Sequence, residues 1–316
     1  MKKIPLVDLS RFTDGSVEKK ETFIKSLGNA FETMGFVALN GHSLSRDIQQ
    51  ALYEQVSRFF SLPQASKNQY IMKGGGGQRG YTAFGEEHAK GQSKGDLKEF
   101  WHFGQEIAND EPLMQTYPAN IIVTELPEFN SLGMKVFKEL ERIALKVLQA
   151  LAIYLGLEDN YFNLFVERGN SILRAIHYPP IMSPPEGAAR AAAHGDINLI
   201  TLLMGAQGSG LQVQNNRGEW IEASVDKNTL IINIGDMLSR LTNNKLKSTL
   251  HRVVNPPKES WDKPRYSIPF FMHPIPEMDL TCLPQCVDED HPKQYEDINA
   301  SQFLTLRLHE LGLLKN

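Results

Sequence analysis

The sequence predicts a mainly β chain with added helices (α+β): a β-sandwich or jelly-roll core in its second half, preceded by an N-terminal βα region and a supporting helix. Three observations carry this. After residue 170, short apolar runs alternate with turn residues, the texture of many short strands. The first 60 residues alternate strand-like and helix-like patterns. Between them, one long apolar stripe recurs at helical spacing.

Taken in order, residues 3–8 predict a short strand and 17–34 a helix, since Phe23, Leu27, Ala30, Phe31 and Met34 share one face and Gly35 can close it. The run 36–40, FVALN, is β-branched and aromatic, hence a strand, and 44–60 predicts a second helix ending before Pro63. Residues 73–95 are glycine-rich and polar and read as a long loop. Gly75, Gly77 and Gly80 have dinucleotide-binding spacing, but that motif needs a strand before it and a helix after it. Gly85, Gly91 and Gly95 interrupt the stretch where that helix would lie, so the match reads as a product of glycine density. The loop is expected to cover the mouth of the core, with Tyr81 and Phe84 reaching a substrate.

The clearest helix lies near 128–155, where Leu132, Val136, Leu140, Ile143, Val147, Leu151 and Tyr154 form the stripe and Gly156 ends it. Strand-like runs come next in SILRAIHYPP, NLITLLMG, GLQVQ, WIEASV, TLIINIGDML, STLHRVVNPP and RYSIPFFMHP. Asn215-Asn216-Arg217-Gly218 predicts a hairpin turn, and 300–314 predicts a last helix. The expected organisation is an N-terminal region over 1–120, a supporting helix in 121–165, a catalytic core over 166–280 and a C-terminal loop and helix over 281–316.

A net charge of -4 argues against a general nucleic-acid binder, which would be basic. No apolar run is long enough to span a membrane, and the start, MKKIPLVDLSRF, is broken by Pro5 and Asp8, so no signal peptide is expected. Cys282 and Cys286 are too few for a disulfide framework and read as reduced thiols. Together these features predict a cytoplasmic protein with a small-molecule substrate and no nucleic-acid or membrane partner. The oligomeric state stays open, a monomer among the options.

The chemistry is carried by His194-Gly195-Asp196 and the distant His251. Two imidazoles and a carboxylate can occupy one face of an octahedral metal and leave the opposite positions open, the arrangement of non-haem Fe(II) oxygenases. On a strand, His194 and Asp196 would point to one side, with Gly195 leaving room between them. His251 would return to them after about four strands. Arg265 and Ser267, in PRYSIPFF, suit a carboxylate on a co-substrate. A lone HxD is weak. The specific signal is the order HxD, Gly235-Asp236, Thr242 to Asn244, HRV and then RYS.

That order, with IPLVDLS, GFVALNGH, FFSLP, RGY and LKEFWHFG before it, resembles the isopenicillin N synthase-like branch of the Fe(II)/2-oxoglutarate-dependent dioxygenases over nearly the whole chain. The resemblance implies a double-stranded β-helix (jelly roll, cupin-like), Fe(II) held at the positions of His194, Asp196 and His251, and 2-oxoglutarate held at those of Arg265 and Ser267. It also implies that Tyr178, before Pro179, helps hold the co-substrate. Where many plant members have Asn-Tyr-Tyr-Pro, this chain has Ile176-His177-Tyr178-Pro179, so the asparagine's role is vacant or filled differently. The implied reaction consumes O2, decarboxylates 2-oxoglutarate to succinate and oxidises a small molecule by hydroxylation, desaturation or cyclisation.

Other candidates have bland readings. His102 and His273 read as core histidines, and His177 either lines the pocket or faces away from it. Phe271 reads as core or pocket wall, Asp236 as a structural turn position and Asn198 as a residue that can face the cavity. Three alternatives stay open: an oxidase of the same fold that does not use 2-oxoglutarate, a ligand-sensing jelly roll without catalysis, and a zinc hydrolase. The last would leave Arg265 and Ser267 unexplained.

Overall fold

The computed structural model describes residues 3–73, 78–87, 95–106, 117–183, 187–207, 209–226 and 228–310. Among these, two sheets enclose an apolar interior. The larger has the order β1 (Leu6–Asp8), β2 (Phe36–Asn40), β10 (Leu230–Ile234), β7 (Ile200–Gln207), β12 (Arg265–Met272), β5 (Ile172–Tyr178), β4 (Glu99–Gly104) and β3 (Gly80–Thr82). The smaller has the order β6 (Ala191–His194), β11 (His251–Val253), β8 (Leu211–Gln214) and β9 (Trp220–Glu222). Phe36, Phe100, Ile176, Tyr178 and Ile231 of the larger sheet pack with Ala191, Leu211, Val213 and Val253 of the smaller one. This is the double-stranded β-helix that the resemblance implies.

The other face of the large sheet is covered by α2 (Val17–Thr33), α3 (Arg46–Phe60) and α5 (Pro127–Tyr154). Their apolar stripes, such as Phe23, Leu27 and Phe31 on α2 and Val136, Leu140 and Val147 on α5, are buried against it. Each such side chain removed from water contributes roughly 1.5–3 kcal/mol. Gly35 ends α2 with φ +73°, and a Cβ there would lie 2.2 Å from the Lys247 carbonyl oxygen, so a turn and a close approach both require glycine.

The expected strands and helices lie close to where periodicity puts them, with four differences. First, β1 to β4 of the N-terminal region pair into the same sheet as the later strands, so the two parts share one core. Second, β6 and the short helices α1 (Ser10–Thr13), α4 (Gln64–Asn68), α6 (Asn163–Val166) and α7 (Asp236–Leu241) were too short to carry a periodic signal. Third, α8 is described as Ala300–Glu310, and 311–316 lie outside the described residues. Fourth, the 73–95 segment is not all loop: Gly80–Thr82 form β3 against β4. Gly75, Gly77 and positions 88–94 lie outside the described residues.

Tyr81 corrects another expectation. It is 1% exposed and bonds to Glu99 on the helix-covered face, packing near Phe59 and Lys67 rather than facing the interior. Alternation along a short strand decides its side, and glycine density concealed that strand. Phe84, 49% exposed, stays on the surface.

Register fixes which residues share the interior face, because directly paired residues lie on one side of a sheet. Phe36 pairs with Asn233, Asn233 with Thr201, Thr201 with Phe271 and Phe271 with Ile172, making one row across five strands. Near the other end of β12, Arg265 pairs with Tyr178 and Ser267 with Ile176.

Candidate metal centre

The two histidines meet across a strand pair. His194 ends β6, His251 opens β11, and the antiparallel register sets them opposite each other with ring centroids 4.4 Å apart. Asp196 lies in the turn just beyond β6, not on the strand as alternation suggested. The turn is pinned by the Asp236 N–H, which donates to the Asp196 carbonyl oxygen at 2.7 Å. A Cβ on Gly195 would lie 3.2 Å from both Asp236 Oδ1 and Ser248 Oγ, so glycine does leave the room this turn needs. Ligand atoms of His194, Asp196 and His251 all lie within 4.8 Å of one another, a spacing that one ion can bridge.

Hydrogen bonds choose which atoms face that point. Asp196 Oδ2 accepts from Thr201 Oγ1 at 2.6 Å and from Asn233 Nδ2 at 2.7 Å, while Oδ1 lies 3.7 Å from His251 Nε2. One carboxylate oxygen is thus held by the protein and the other is turned to the centre. His194 Nδ1 donates to the Ala192 carbonyl at 2.7 Å, which leaves Nε2 as its ligand atom. The Phe36 ring sits edge-on to His251, 5.7 Å away.

Electrostatics agree with a metal-ready state. Burial, and then the neighbouring His251, push His194 down to about 4, so its imidazole is neutral near pH 7. Burial opposes ionisation of Asp196, but His251, His194, Asn233 and Thr201 together hold its carboxyl below the usual range. Neutral imidazoles with one carboxylate are the donor set that suits ferrous iron, so the residues present fit that ion.

Further along the interior face, Arg265 is 1% exposed, and its Nε donates to the Ser209 carbonyl at 3.2 Å. Its Nη1 is buried with no hydrogen-bond partner among the described residues. A buried guanidinium donor without an acceptor is costly, and a ligand carboxylate would satisfy it. The Arg265 guanidinium lies 5.0 Å from the Tyr178 ring centroid, and Ser267 comes next on the same face. Arg190, which the sequence reading missed, lies 5.9 Å from the same ring.

Residues 4–125 match the non-haem dioxygenase in morphine synthesis N-terminal family, and residues 169–274 match the 2OG-Fe(II) oxygenase superfamily. The chain belongs to the isopenicillin N synthase-like family of Fe(II)/2-oxoglutarate-dependent dioxygenases. It is 30% identical to a 2-oxoglutarate-Fe(II) type oxidoreductase of Aspergillus fumigatus, over 92% of this chain and 88% of that one. A 2OG-Fe(II) oxygenase family protein from Caulobacter crescentus has a similar structure, with a TM-score of 0.88 and 42% identity over 98% of this chain and 99% of the other. A full-length Neurospora crassa protein, solved with α-ketoglutarate and thymine, has a TM-score of 0.83 and 32% identity over 97% and 96% of the two chains. As a member of this dioxygenase family, the chain is an oxidoreductase whose cofactors are Fe(II) and 2-oxoglutarate. No described helix is long and apolar enough to cross a membrane.

The remaining candidates sort by face. His177 points to the helix side, with Nδ1 2.7 Å from Glu99 Oε1 and its ring stacked on Tyr266, so it does not line the interior. His102 and Phe271 face inward, on either side of the Arg174 guanidinium. Asn198 is fully buried and braces Thr201 and the Ile200 carbonyl. Asp236 bonds Ser248 Oγ at 2.6 Å and Arg307 at 3.2 Å, a structural tie as expected. Cys282 and Cys286 are buried free thiols. Thr201, Asn233 and Arg174 escaped the sequence reading because each is one ordinary residue in a strand. The signal that could have found them is strand register around Asp196.

Proposed function

We propose that this dioxygenase couples decarboxylation of 2-oxoglutarate to succinate and carbon dioxide with oxidation of a small-molecule prime substrate by hydroxylation, desaturation or cyclisation. When bound, the iron supplies dioxygen activation and the oxidative decarboxylation of the co-substrate. His194 and His251 would hold that iron through their ring nitrogens and Asp196 through one carboxylate oxygen, a three-residue donor set that would leave room for the co-substrate. Arg265 receives the distal carboxylate of 2-oxoglutarate in a paired contact, Ser267 adds a hydrogen bond and Tyr178 flanks them. Residues 166–280 form the catalytic unit, and the N-terminal strands complete its larger sheet.

The observation that carries this reading is the Nη1 of buried Arg265, without a hydrogen-bond partner among the described residues, on the sheet face that also holds Thr201 and Asn233, which bond to Asp196. The α-ketoglutarate bound by the Neurospora relative supports it. The experiment is succinate formation by the purified, iron-loaded protein against a metabolite panel that includes thymine and 5-formyluracil, the ligands of that relative. Substrate-dependent succinate is the expected result. A protein that binds iron but neither binds 2-oxoglutarate nor forms succinate would contradict the reading.

A further inference from the structure

Four charged side chains form a chain of contacts between the metal ligands and the interior face of β4 and β5. Lys98 Nζ lies 2.7 Å from Glu87 Oε1 and 2.8 Å from Asp96 Oδ2. Arg174 Nη1 lies 3.0 Å from the same Glu87 oxygen. At the metal end, Asp96 Oδ1 accepts from the Ala192 N–H at 3.1 Å, and the Ala192 carbonyl is the acceptor for His194 Nδ1. At the far end, Arg174 Nε donates to His102 Nε2 at 2.6 Å, and the guanidinium lies over the Phe100 ring at 4.2 Å and 5.3 Å from Phe271. Phe271 is the cross-strand neighbour of Thr201, the residue that holds Asp196. Arg174 therefore occupies the interior face beside the reacting centre, on the side away from Arg265.

The charges in this chain balance: Lys98 and Arg174 against Glu87 and Asp96. Burial opposes the charge on Glu87, but Arg174 and Lys98 outweigh it and hold the carboxyl well below its usual range. One Glu87 oxygen serves both cations. Without that carboxylate, Asp96, which contacts Lys98, would stand against two cations, and the space beside the metal would carry a net positive charge under poor solvation, a receptor for anions. With it, the lining is neutral, and Arg174, which has five N–H donors, uses two of them among the described residues, on His102 and Glu87. The side chains of Glu87 and Arg174 are 20% and 18% exposed, so neither is sealed from solvent.

We propose that Glu87 is a specificity-determining residue. By neutralising Lys98 and Arg174 it bars carboxylates from the prime-substrate pocket and sets that pocket for an uncharged molecule that accepts a hydrogen bond from Arg174. This rests on the function proposed above and fixes a charge class within it. It also answers a selectivity problem: the co-substrate is itself a dicarboxylate, and an unneutralised Lys98 and Arg174 would take 2-oxoglutarate in the wrong place.

The test is calorimetric titration of 2-oxoglutarate into the full chain loaded with Mn(II) in place of Fe(II), which avoids turnover. The wild type takes one equivalent. Glu87→Gln, nearly the same size, takes a second and weaker one, with affinity at that position raised tenfold or more over the wild type. The double variant Glu87→Gln with Arg174→Gln loses the second equivalent. A Glu87→Gln protein that is folded, holds one metal and still takes a single equivalent overturns the inference, as does a second equivalent that survives in the double variant. If Glu87→Gln does not fold, the wild type alone decides: a second equivalent at high 2-oxoglutarate overturns the inference, and strict saturation at one supports it. Loss of the first equivalent would count against the co-substrate reading instead, because that equivalent belongs to Arg265.

Discussion

Thr201 lies opposite Phe271 across β7 and β12, and its hydroxyl donates to Asp196 Oδ2 at 2.6 Å. The residue that aims the carboxylate is thus the strand neighbour of the ring beside Arg174, so one rung of the sheet links the metal centre to that arginine.

Removing that aim should weaken the metal without dissolving the fold. Thr201→Val keeps the shape of the side chain and deletes the donor, leaving Asn233, among the described residues, as the side chain holding Asp196 Oδ2. Losses of this kind cost roughly 10–100-fold in metal affinity. The expected result, by metal titration in a competing chelator, is a drop in that range for Thr201→Val and a larger one when Asn233→Leu is added. Unchanged affinity in both would show that the two bonds do not orient Asp196.

Arg265→Lys should not be mild. Lysine keeps the charge but loses the planar two-point contact. Hydrogen bonds to charged groups contribute roughly 1.5–3 kcal/mol each, so 2-oxoglutarate affinity should fall by about tenfold or more while metal stoichiometry stays at one. Equal affinity in the variant would move the co-substrate off this arginine.

The triad was legible in the sequence because its information is one-dimensional. His194 and Asp196 are near neighbours, and the HRV and RYS segments come after them in a fixed order. The supporting contacts were not, because they are set by register. Asn233 and Thr201 reach Asp196 only because β10 and β7 pair with a particular offset, and no local pattern encodes an offset. Long helices such as α5 were legible from their stripe, whereas β3 and β6 are too short to show a period. Tyr81 was misplaced for that reason. His177 was undecidable because a strand residue's side depends on its neighbours' faces, and pairing with Glu99 settles it.

Gly195→Ala tests the crowding beneath the ligands. The added Cβ would meet Asp236 Oδ1 and Ser248 Oγ at 3.2 Å, and Asp236 is itself tied to Arg307. Overpacking of this kind costs about 1–3 kcal/mol. The expected outcome is a lower melting temperature together with weaker metal binding, read by calorimetry of the metal-free and metal-loaded protein. An alanine variant with wild-type stability and affinity would show that the turn has slack.

His273 should make the metal-free protein acid-sensitive. Burial pushes it down to about 4, Asp196 opposes this, and Arg174 and Arg79 add to it. In the unfolded chain its value is near 6.5. Between those values the unfolded state binds the extra proton, so stability should fall as pH drops from about 6.5 toward 4 and be fully present above that window. Denaturant midpoints across the window should show this slope, and His273→Gln should reduce it, leaving the part that His194, pushed down to about 4 as well, contributes. A slope unchanged in the variant would assign the acid sensitivity to other groups.

The most direct measurement of the central claim is anaerobic titration of the protein with Fe(II) and 2-oxoglutarate, monitored by the visible charge-transfer absorption that a 2-oxo acid chelated to ferrous iron produces. The wild type should develop the band at one iron per chain and only when both components are present. His251→Ala should lose most iron affinity and the band with it, since His194 and Asp196 alone hold a ferrous ion poorly. A wild-type protein that binds Fe(II) and 2-oxoglutarate without the band, or a His251→Ala protein that keeps full iron stoichiometry and the full band, would contradict the assignment of this centre.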